Sequence, residues 1–155
     1  MKRILITFGT EPLAQRIGKL LADQYTLLYA SSQPFPEILL KQNYRKVPTA
    51  SNPTYVHEVL KLALDEAIDF ILPLGQGELQ ALQEARILFE EYGINLLMPI
   101  SLDGILIAEK PDKHLPIQVV HEGKDVLTDN VVADSSFSGA AIVSDSGEDV
   151  VLCVV

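Results

Sequence analysis

The sequence predicts an α/β protein in which helices cover a parallel, Rossmann-like sheet in three layers, with a small antiparallel β extension at the C-terminus. Two patterns predict this fold class. Over the first hundred residues, short apolar and β-branched runs alternate with longer segments that carry apolar residues at helical spacing. Such alternation is typical of βαβ units with right-handed crossovers. After Pro99, short β-rich runs separated by turn residues replace it. We therefore expect a Rossmann-like domain over residues 1–100 and a β-rich extension over 101–155.

The first three strands and the first helix follow from local patterns. "RILITF", from Arg3, predicts a strand buried on both faces. Pro12 suits the first turn of the next helix, where its missing N–H costs nothing. The apolar stripe of that helix comprises Leu13, Ile17, Leu20 and Leu21. "YTLLYA" predicts the second strand, "PFPEILLKQN" a short helix or turn, and "YRKVPT" a third strand that Pro48 ends.

The remaining elements of the first domain follow the same logic. Asn52-Pro53-Thr54 opens a second helix, whose stripe comprises Val56, Val59, Leu60, Ala63, Leu64 and Ala67. "DFILPL" predicts the fourth strand and "INLLMP" the fifth. Between them, "GELQALQEARILFEEYG" predicts one long helix that buries Leu79, Leu82, Ala85 and Phe89. Gly93 followed by Ile94 predicts a left-handed C-terminal cap.

Composition and charge exclude several classes of protein. Hydrophobic residues make up 48% of the 155 residues, which suits an aliphatic core. The formal net charge of −9 disfavours nucleic acid and anionic membrane as partners, because phosphate neutralisation needs clustered Lys and Arg. No apolar run reaches the ~18 residues of a membrane span, and no signal-peptide pattern opens the chain. We expect a cytoplasmic protein whose single cysteine, Cys153, is a buried small hydrophobe.

Two strand-to-helix turns carry glycines where phosphate-binding loops lie. After the first strand the turn reads Gly9-Thr10-Glu11-Pro12, and its acidic residue and proline disfavour a standard dinucleotide site. After the fourth strand, Gly75-Gln76-Gly77 gives G-x-G without a third glycine or a Walker lysine. Glu78 then places a charge in the first helical turn, as ordinary helix capping does. Plain turn chemistry and ligand contact both remain open for the glycine pair.

No constellation of residues predicts catalysis or metal binding. The histidines His57, His114 and His121 are widely separated, and the serines Ser135, Ser136 and Ser138 lack a nucleophile elbow. The acidic residues Asp129, Asp134, Asp145, Glu148 and Asp149 fit solvated turns better than a calcium loop. We therefore predict no metal site and assign neither a catalytic residue nor a cofactor.

Residues 1 to about 113 resemble the N-terminal, Rossmann-like pre-ATP-grasp domain of the ATP-grasp ligases, a group that includes carbamoyl phosphate synthetase and biotin carboxylase. The motifs that carry the resemblance are "RILITFGTEPLAQRIGKLLA", "YTLLYASSQP", "DFILPLGQGELQAL" and "SLDGILIAEKPDKHLP", the last with its Asp112-Lys113 pair. In that group the following ATP-grasp domain holds ATP and magnesium, and 155 residues cannot contain it in full. "VVADSSFSGAAIVSDSGEDV" is similar to the nucleotide-covering segment, but Ala133 stands at its lysine position and only Gly139 remains of its glycines.

The resemblance implies a stand-alone pre-ATP-grasp-like protein that is non-catalytic by itself and binds a small ligand or a partner ligase chain. Its ligand is expected at the carboxyl ends of the strands, near the turns after strands one and four. The expected lining residues are Gly9, Thr10, Ser31, Gly75, Gln76 and Gly77. Two alternatives remain open: a small nucleotide-using enzyme with a non-standard loop, and a structural subunit that dimerises through its β extension. A homo-oligomer is expected, because exposed strand edges need covering.

Overall fold

The computed structural model describes residues 1–147 and 149–155. In the first hundred residues strands and helices alternate as the sequence predicts. The elements are β1 (Arg3–Ile6), α1 (Pro12–Leu21), β2 (Thr26–Ser31), a 3₁₀ helix (Glu37–Lys41), β3 (Tyr44–Lys46), α2 (Tyr55–Asp65), β4 (Phe70–Leu72), α3 (Gln76–Glu84), α4 (Arg86–Glu91) and β5 (Asn95–Leu96).

These five strands form one parallel sheet in the order β3-β2-β1-β4-β5. At its centre Leu5 of β1 pairs with Leu28 of β2 and with Ile71 of β4. Ile4 and Ile6 pack against α1 on one face, while Leu5 packs against α2, α3 and α4 on the other. The structure thus confirms the predicted α/β, Rossmann-like fold class with a helical layer on each side of the sheet.

The buried faces of α1 and α2 differ in part from the predicted stripes. The buried residues of α1 are Leu13, Ala14, Ile17, Gly18 and Leu21, whereas those of α2 are Tyr55, Val59, Leu60 and Ala63. The prediction was wrong for Leu20 and Leu64, which are 41% and 46% exposed. Both lie at the border of the apolar stripe, where small changes in helix orientation decide burial. Ala67 lies beyond the end of α2, in a turn with φ 53°.

The single long helix predicted over residues 77–93 is two helices, α3 and α4, that meet at Ala85. The backbone of Ala85 has φ −102° and ψ 8°, and its N–H donates to the carbonyl of Leu82 at 3.1 Å, a tighter turn than an α-helix makes. The predicted cap at Gly93 is confirmed. Gly93 has φ 76°, and the N–H of Ile94 donates to the Phe89 carbonyl at 3.0 Å.

The β-rich extension forms a second five-stranded sheet in the order β6-β10-β9-β7-β8. Its strands are β6 (Leu106–Glu109), β7 (Gln118–His121), β8 (Lys124–Asp125), β9 (Gly139–Val143) and β10 (Val150–Val154). Most pairs are antiparallel as predicted, but β6 runs parallel to β10. The sheet is therefore mixed, because β6 reaches β10 by a long connection and not by a hairpin.

The second sheet shares both hydrophobic cores with the first. On β10, Cys153 joins the core beneath α1, whereas its neighbour Leu152 joins the core beneath α2, α3 and α4. Ala140 and Ala141 of β9 divide in the same way. Consecutive residues of a strand point to opposite faces, so both faces of this sheet are covered at its centre. The predicted burial of Cys153 is confirmed, and the domain boundary near residue 100 stays a prediction.

Among the described residues, no helix is both long and apolar enough to cross a membrane.

Candidate functional site

The switch point of the first sheet lies between β1 and β4. From β1 the chain builds β2 and β3 on one side, and it then builds β4 and β5 on the other. In open parallel sheets, ligands bind outside the carboxyl ends of the strands at such a point. Here the turns after β1 and β4 touch. The N–H of Thr7 donates to the Leu72 carbonyl at 3.2 Å, and the N–H of Leu74 donates to Thr7 Oγ1 at 2.9 Å.

A buried carboxyl group lies behind the two turns. It belongs to Glu78 in the first turn of α3, whose residue is only 4% exposed. Glu78 Oε1 accepts hydrogen bonds from Thr7 Oγ1 at 2.5 Å and from the N–H of Gly75 at 3.3 Å. Glu78 Oε2 accepts one from Tyr55 Oη at 2.7 Å. One side chain thus joins the end of β1, the start of α2 and the start of α3.

Burial dominates the electrostatics of this network. Burial raises the pKa of Glu78, while the hydrogen bonds from Thr7, Tyr55 and the N–H of Gly75 oppose the shift by stabilising the charged form. Burial, and then the neighbouring Glu78 carboxyl, raise the pKa of Tyr55 as well. The phenol therefore stays protonated and acts as a donor. Among the described residues, none of the ion pairs includes Glu78.

Sequence reasoning identified only part of the role of Glu78. Its bond to the Gly75 N–H is the expected helix capping, and a carboxylate three residues after the N-cap is a recognisable signal for it. The burial and the other two bonds were missed. Thr7 and Tyr55 lie 71 and 23 residues away along the chain, so no local sequence pattern could predict their hydrogen bonds to Glu78.

The two glycines after β4 have different environments. Phe8, whose φ of 52° is unusual for an aromatic residue, lies over Gly75. A Cβ atom at Gly75 would lie 2.4 Å from Phe8 Cε2, whereas one at Gly77 would meet only the Cβ of Ala50, at 3.4 Å. Gly75 is buried and Gly77 is exposed. The absence of a side chain at Gly75 thus serves packing, whereas Gly77 leaves the start of α3 open to solvent.

The other predicted residues lie at the same edge of the sheet, beside β2. Gly9 is buried, and a Cβ there would lie 2.5 Å from the Cβ of Tyr29. Thr10 is exposed and donates from its hydroxyl to Gln33 Oε1 at 2.9 Å. Ser31 is buried, and its Oγ accepts from the N–H of Gln33 at 3.0 Å. The six predicted residues therefore form two groups, one around Gln33 and one at the start of α3.

Two concavities lie outside both groups, and sequence reasoning missed them. One, of about 450 Å³, adjoins the first turn of α1 and carries the cations Arg16, Lys110 and Lys113. The other is a groove of about 1030 Å³ in the extension, between Ile100 and Val131. None of the six predicted residues lines either concavity. No signal in the sequence joins their walls, because each is assembled from segments far apart in the chain.

The histidines and acidic residues that the sequence offered as possible ligands lie apart in the structure. Within the part of the chain that the structure describes, no three His, Cys, Asp or Glu side chains come together as a metal site. His57 and His114 are exposed, whereas His121 lies edge-on to Phe70 with ring centroids 5.2 Å apart. Asp134 Oδ1 accepts from the N–H of Ser136 at 3.0 Å, as in an ordinary turn. Glu148 lies outside the described residues.

No protein-family model and no curated protein matches this chain. Among solved structures, CobK precorrin-6A reductase is similar in fold, with a TM-score of 0.42 and 20% sequence identity. The likeness covers 73% of this chain and 45% of that chain. The chain thus spans less than half the length of that reductase.

Proposed function

We propose that this chain is a non-catalytic, pre-ATP-grasp-like binding protein whose small ligand lies at the carboxyl edge of the first sheet. The observation that carries the proposal is the contact between the turns after β1 and β4 at the switch point. This is the place where open parallel sheets form their ligand crevices. The strand order β3-β2-β1-β4-β5 agrees with the Rossmann-like fold that the resemblance implies, and it is common to doubly wound sheets in general.

The chemistry of this edge favours a polar ligand without phosphate. Its exposed groups are neutral donors and acceptors: the hydroxyl of Thr10, the amide of Gln33 and the start of α3 at Gln76 and Gly77. Glu78 Oε1 already accepts the hydrogen bond of the Gly75 N–H at 3.3 Å, so this donor at the start of α3 is not free to bind an anion. A ligand that carries hydroxyl or amide groups therefore suits this crevice better than a nucleotide.

The burial of Glu78 gives this residue a structural role and not a catalytic one. Its two oxygens accept three hydrogen bonds, and the residue is almost inaccessible to solvent. A general acid or base must reach the proton that it transfers, and this carboxyl group does not reach the surface. Its contacts hold the turns in place, which is the contribution expected of a binding scaffold.

The partners and the compartment belong to the same proposal. A partner ligase chain is the second occupant that the resemblance suggests for this edge, and a homo-oligomer would cover the edges of the second sheet. We place the protein in the cytoplasm, where its single buried thiol would stay reduced.

The test is a thermal-shift screen with a panel of sugars, polyols and amino-acid amides, followed by calorimetry of each hit with the Gly77→Leu variant. Gly77 is exposed, so leucine there fills the mouth of the crevice without disturbing the core. Hits should bind this variant about tenfold more weakly or worse, while Glu84→Leu, at an exposed position near the other end of α3, serves as the control. Unchanged binding to Gly77→Leu would place the ligand elsewhere, and turnover of ATP or NAD would favour the enzyme alternative.

A further inference from the structure

The concavity of about 450 Å³ beside α1 is separate from the crevice just proposed. Three distant parts of the chain build it: the first turn of α1, residues 110–113 after β6, and Val155 after β10. Hydrogen bonds anchor these walls to the rest of the fold and to each other. The N–H of Val155 donates to the Leu74 carbonyl at 2.9 Å, and the Arg16 guanidinium donates to the carbonyls of Asp112, at 3.1 Å, and of Leu115. The cavity is therefore formed before any ligand arrives.

Its rim is positive on a protein that is strongly negative overall. Arg16, Lys110 and Lys113 all border it, although the chain has only 12 basic residues against 21 acidic ones. Among the described residues, none of the three takes part in an ion pair. The acceptors of Arg16 are neutral carbonyls, which orient the guanidinium without cancelling its charge. Two carboxylates also belong to lining residues, the side chain of Glu11 and the α-carboxylate of Val155, so three cations face two anions and the rim keeps one excess positive charge.

The rest of the wall is apolar. Leu13, Pro12, Pro111 and Val155 complete the lining, and Pro12 has no N–H to offer an anion at the start of α1. A phosphate ion would pair with the cations of the rim but would leave the apolar surfaces in contact with water. A neutral hydrocarbon would cover the apolar surfaces but would leave the three cations without a partner. A molecule with one anionic end and a short apolar body satisfies both parts.

We propose that this cavity binds a small carboxylate with a short aliphatic body. The carboxylate lies among Lys110, Lys113 and Arg16, and the aliphatic part covers Leu13, Pro111 and Val155. The volume lies within the usual range of small-molecule pockets, roughly 300–1,000 Å³. The site shares no lining residue with the crevice at the switch point, so either can be occupied without the other.

The probe is sodium hexanoate, added at constant ionic strength to the ¹⁵N-labelled full chain and followed by NMR. Saturable shifts are expected at the amides of Leu13, Arg16 and Val155. Hexanol, which lacks the charge, and inorganic phosphate, which lacks the aliphatic body, should each bind at least about tenfold more weakly. Equal binding of hexanol would overturn the role of the cations, and equal binding of phosphate would overturn the role of the apolar wall.

The matched variants compare lysines at the cavity with lysines elsewhere. Lys110→Ala with Lys113→Ala should weaken hexanoate binding about fivefold or more, because each contributes a partly screened charge. Lys19→Ala with Lys41→Ala removes the same net charge at exposed positions outside the cavity and should leave binding unchanged. Equal losses of hexanoate affinity in both double variants would mean that only net charge matters, which would overturn the site. The absence of saturable shifts in the wild type would overturn it as well. Shifts confined to Thr10, Gln33 and Gly77 would also overturn it, since they would place hexanoate in the crevice at the switch point.

Discussion

Replacing Glu78 should destabilise the protein more than any surface carboxylate does. Glu78→Ala removes the acceptor of three donors and leaves the hydroxyls of Thr7 and Tyr55 buried without it. Each buried donor left unpaired costs about 1–3 kcal/mol, and the missing side chain adds a void. We expect a loss of about 3–5 kcal/mol in the free energy of unfolding. Glu84→Ala, at an exposed position of the same helix, should change it by less than about 0.5 kcal/mol.

The Glu78→Gln variant separates shape from charge. Glutamine keeps the volume and one acceptor oxygen, so its cost is smaller, about 1–2 kcal/mol. The pKa of Glu78 is raised in the folded protein from its ordinary value of 4.5. A raised pKa means that the neutral form is favoured in the folded state. The stability linked to this group is therefore complete below the unfolded pKa and is lost as the pH rises through the folded pKa. The advantage of the wild type over Glu78→Gln should be largest in acid and should narrow as the pH rises.

Urea unfolding followed by far-UV circular dichroism measures both effects, at several values between about pH 4 and pH 8. Tyrosine fluorescence supplies a second probe, since the chain has no tryptophan. A loss below about 1 kcal/mol for Glu78→Ala would contradict the role of Glu78 as a buried acceptor. An advantage over Glu78→Gln that widens with rising pH would contradict the raised pKa of Glu78, since such a trend belongs to a carboxyl group whose pKa is lowered by folding.

Three further predictions follow from packing. Gly75→Ala should lower the free energy of unfolding by about 1–3 kcal/mol, because its Cβ would lie 2.4 Å from the Phe8 ring. Gly77→Ala, in the first turn of α3, should leave it unchanged or raise it. Urea unfolding of the two variants side by side measures the difference. Gly123→Ala should lower the melting temperature more than Gly104→Ala does. Both glycines have φ above 70°, but only a Cβ at Gly123 would lie 2.6 Å from a carbonyl oxygen. Equal shifts of the melting temperature would contradict this. Cys153 is buried, and burial raises its pKa to about 11. Ellman's reagent should therefore modify this thiol only when urea unfolds the protein. Rapid labelling of the native protein would contradict this.

Local patterns were sufficient for the order and type of most elements. Pro12 at the start of α1 and the left-handed Gly93 after α4 were predictable because each depends on a few neighbouring residues. The predictions were wrong where burial or a helix end does not depend on the neighbouring residues in the sequence. Leu20 has the right spacing for a buried stripe but falls at its border, and Ala85 ends one helix where the sequence pattern continues.

The α/β class, the parallel sheet and the sheet edge with the glycine turns could all be predicted from local patterns in the sequence. The contacts of those turns could not: Phe8 packs against Gly75, and Thr7 and Tyr55 donate to the buried carboxyl group of Glu78. The tertiary structure also brings Lys110 to the first turn of α1 across most of the chain. Periodicity reports which side of one element is buried, because that depends on residues three or four apart. Which distant side chains then meet depends on strand order and on the fit of two sheets around shared cores, and no local pattern contains that information.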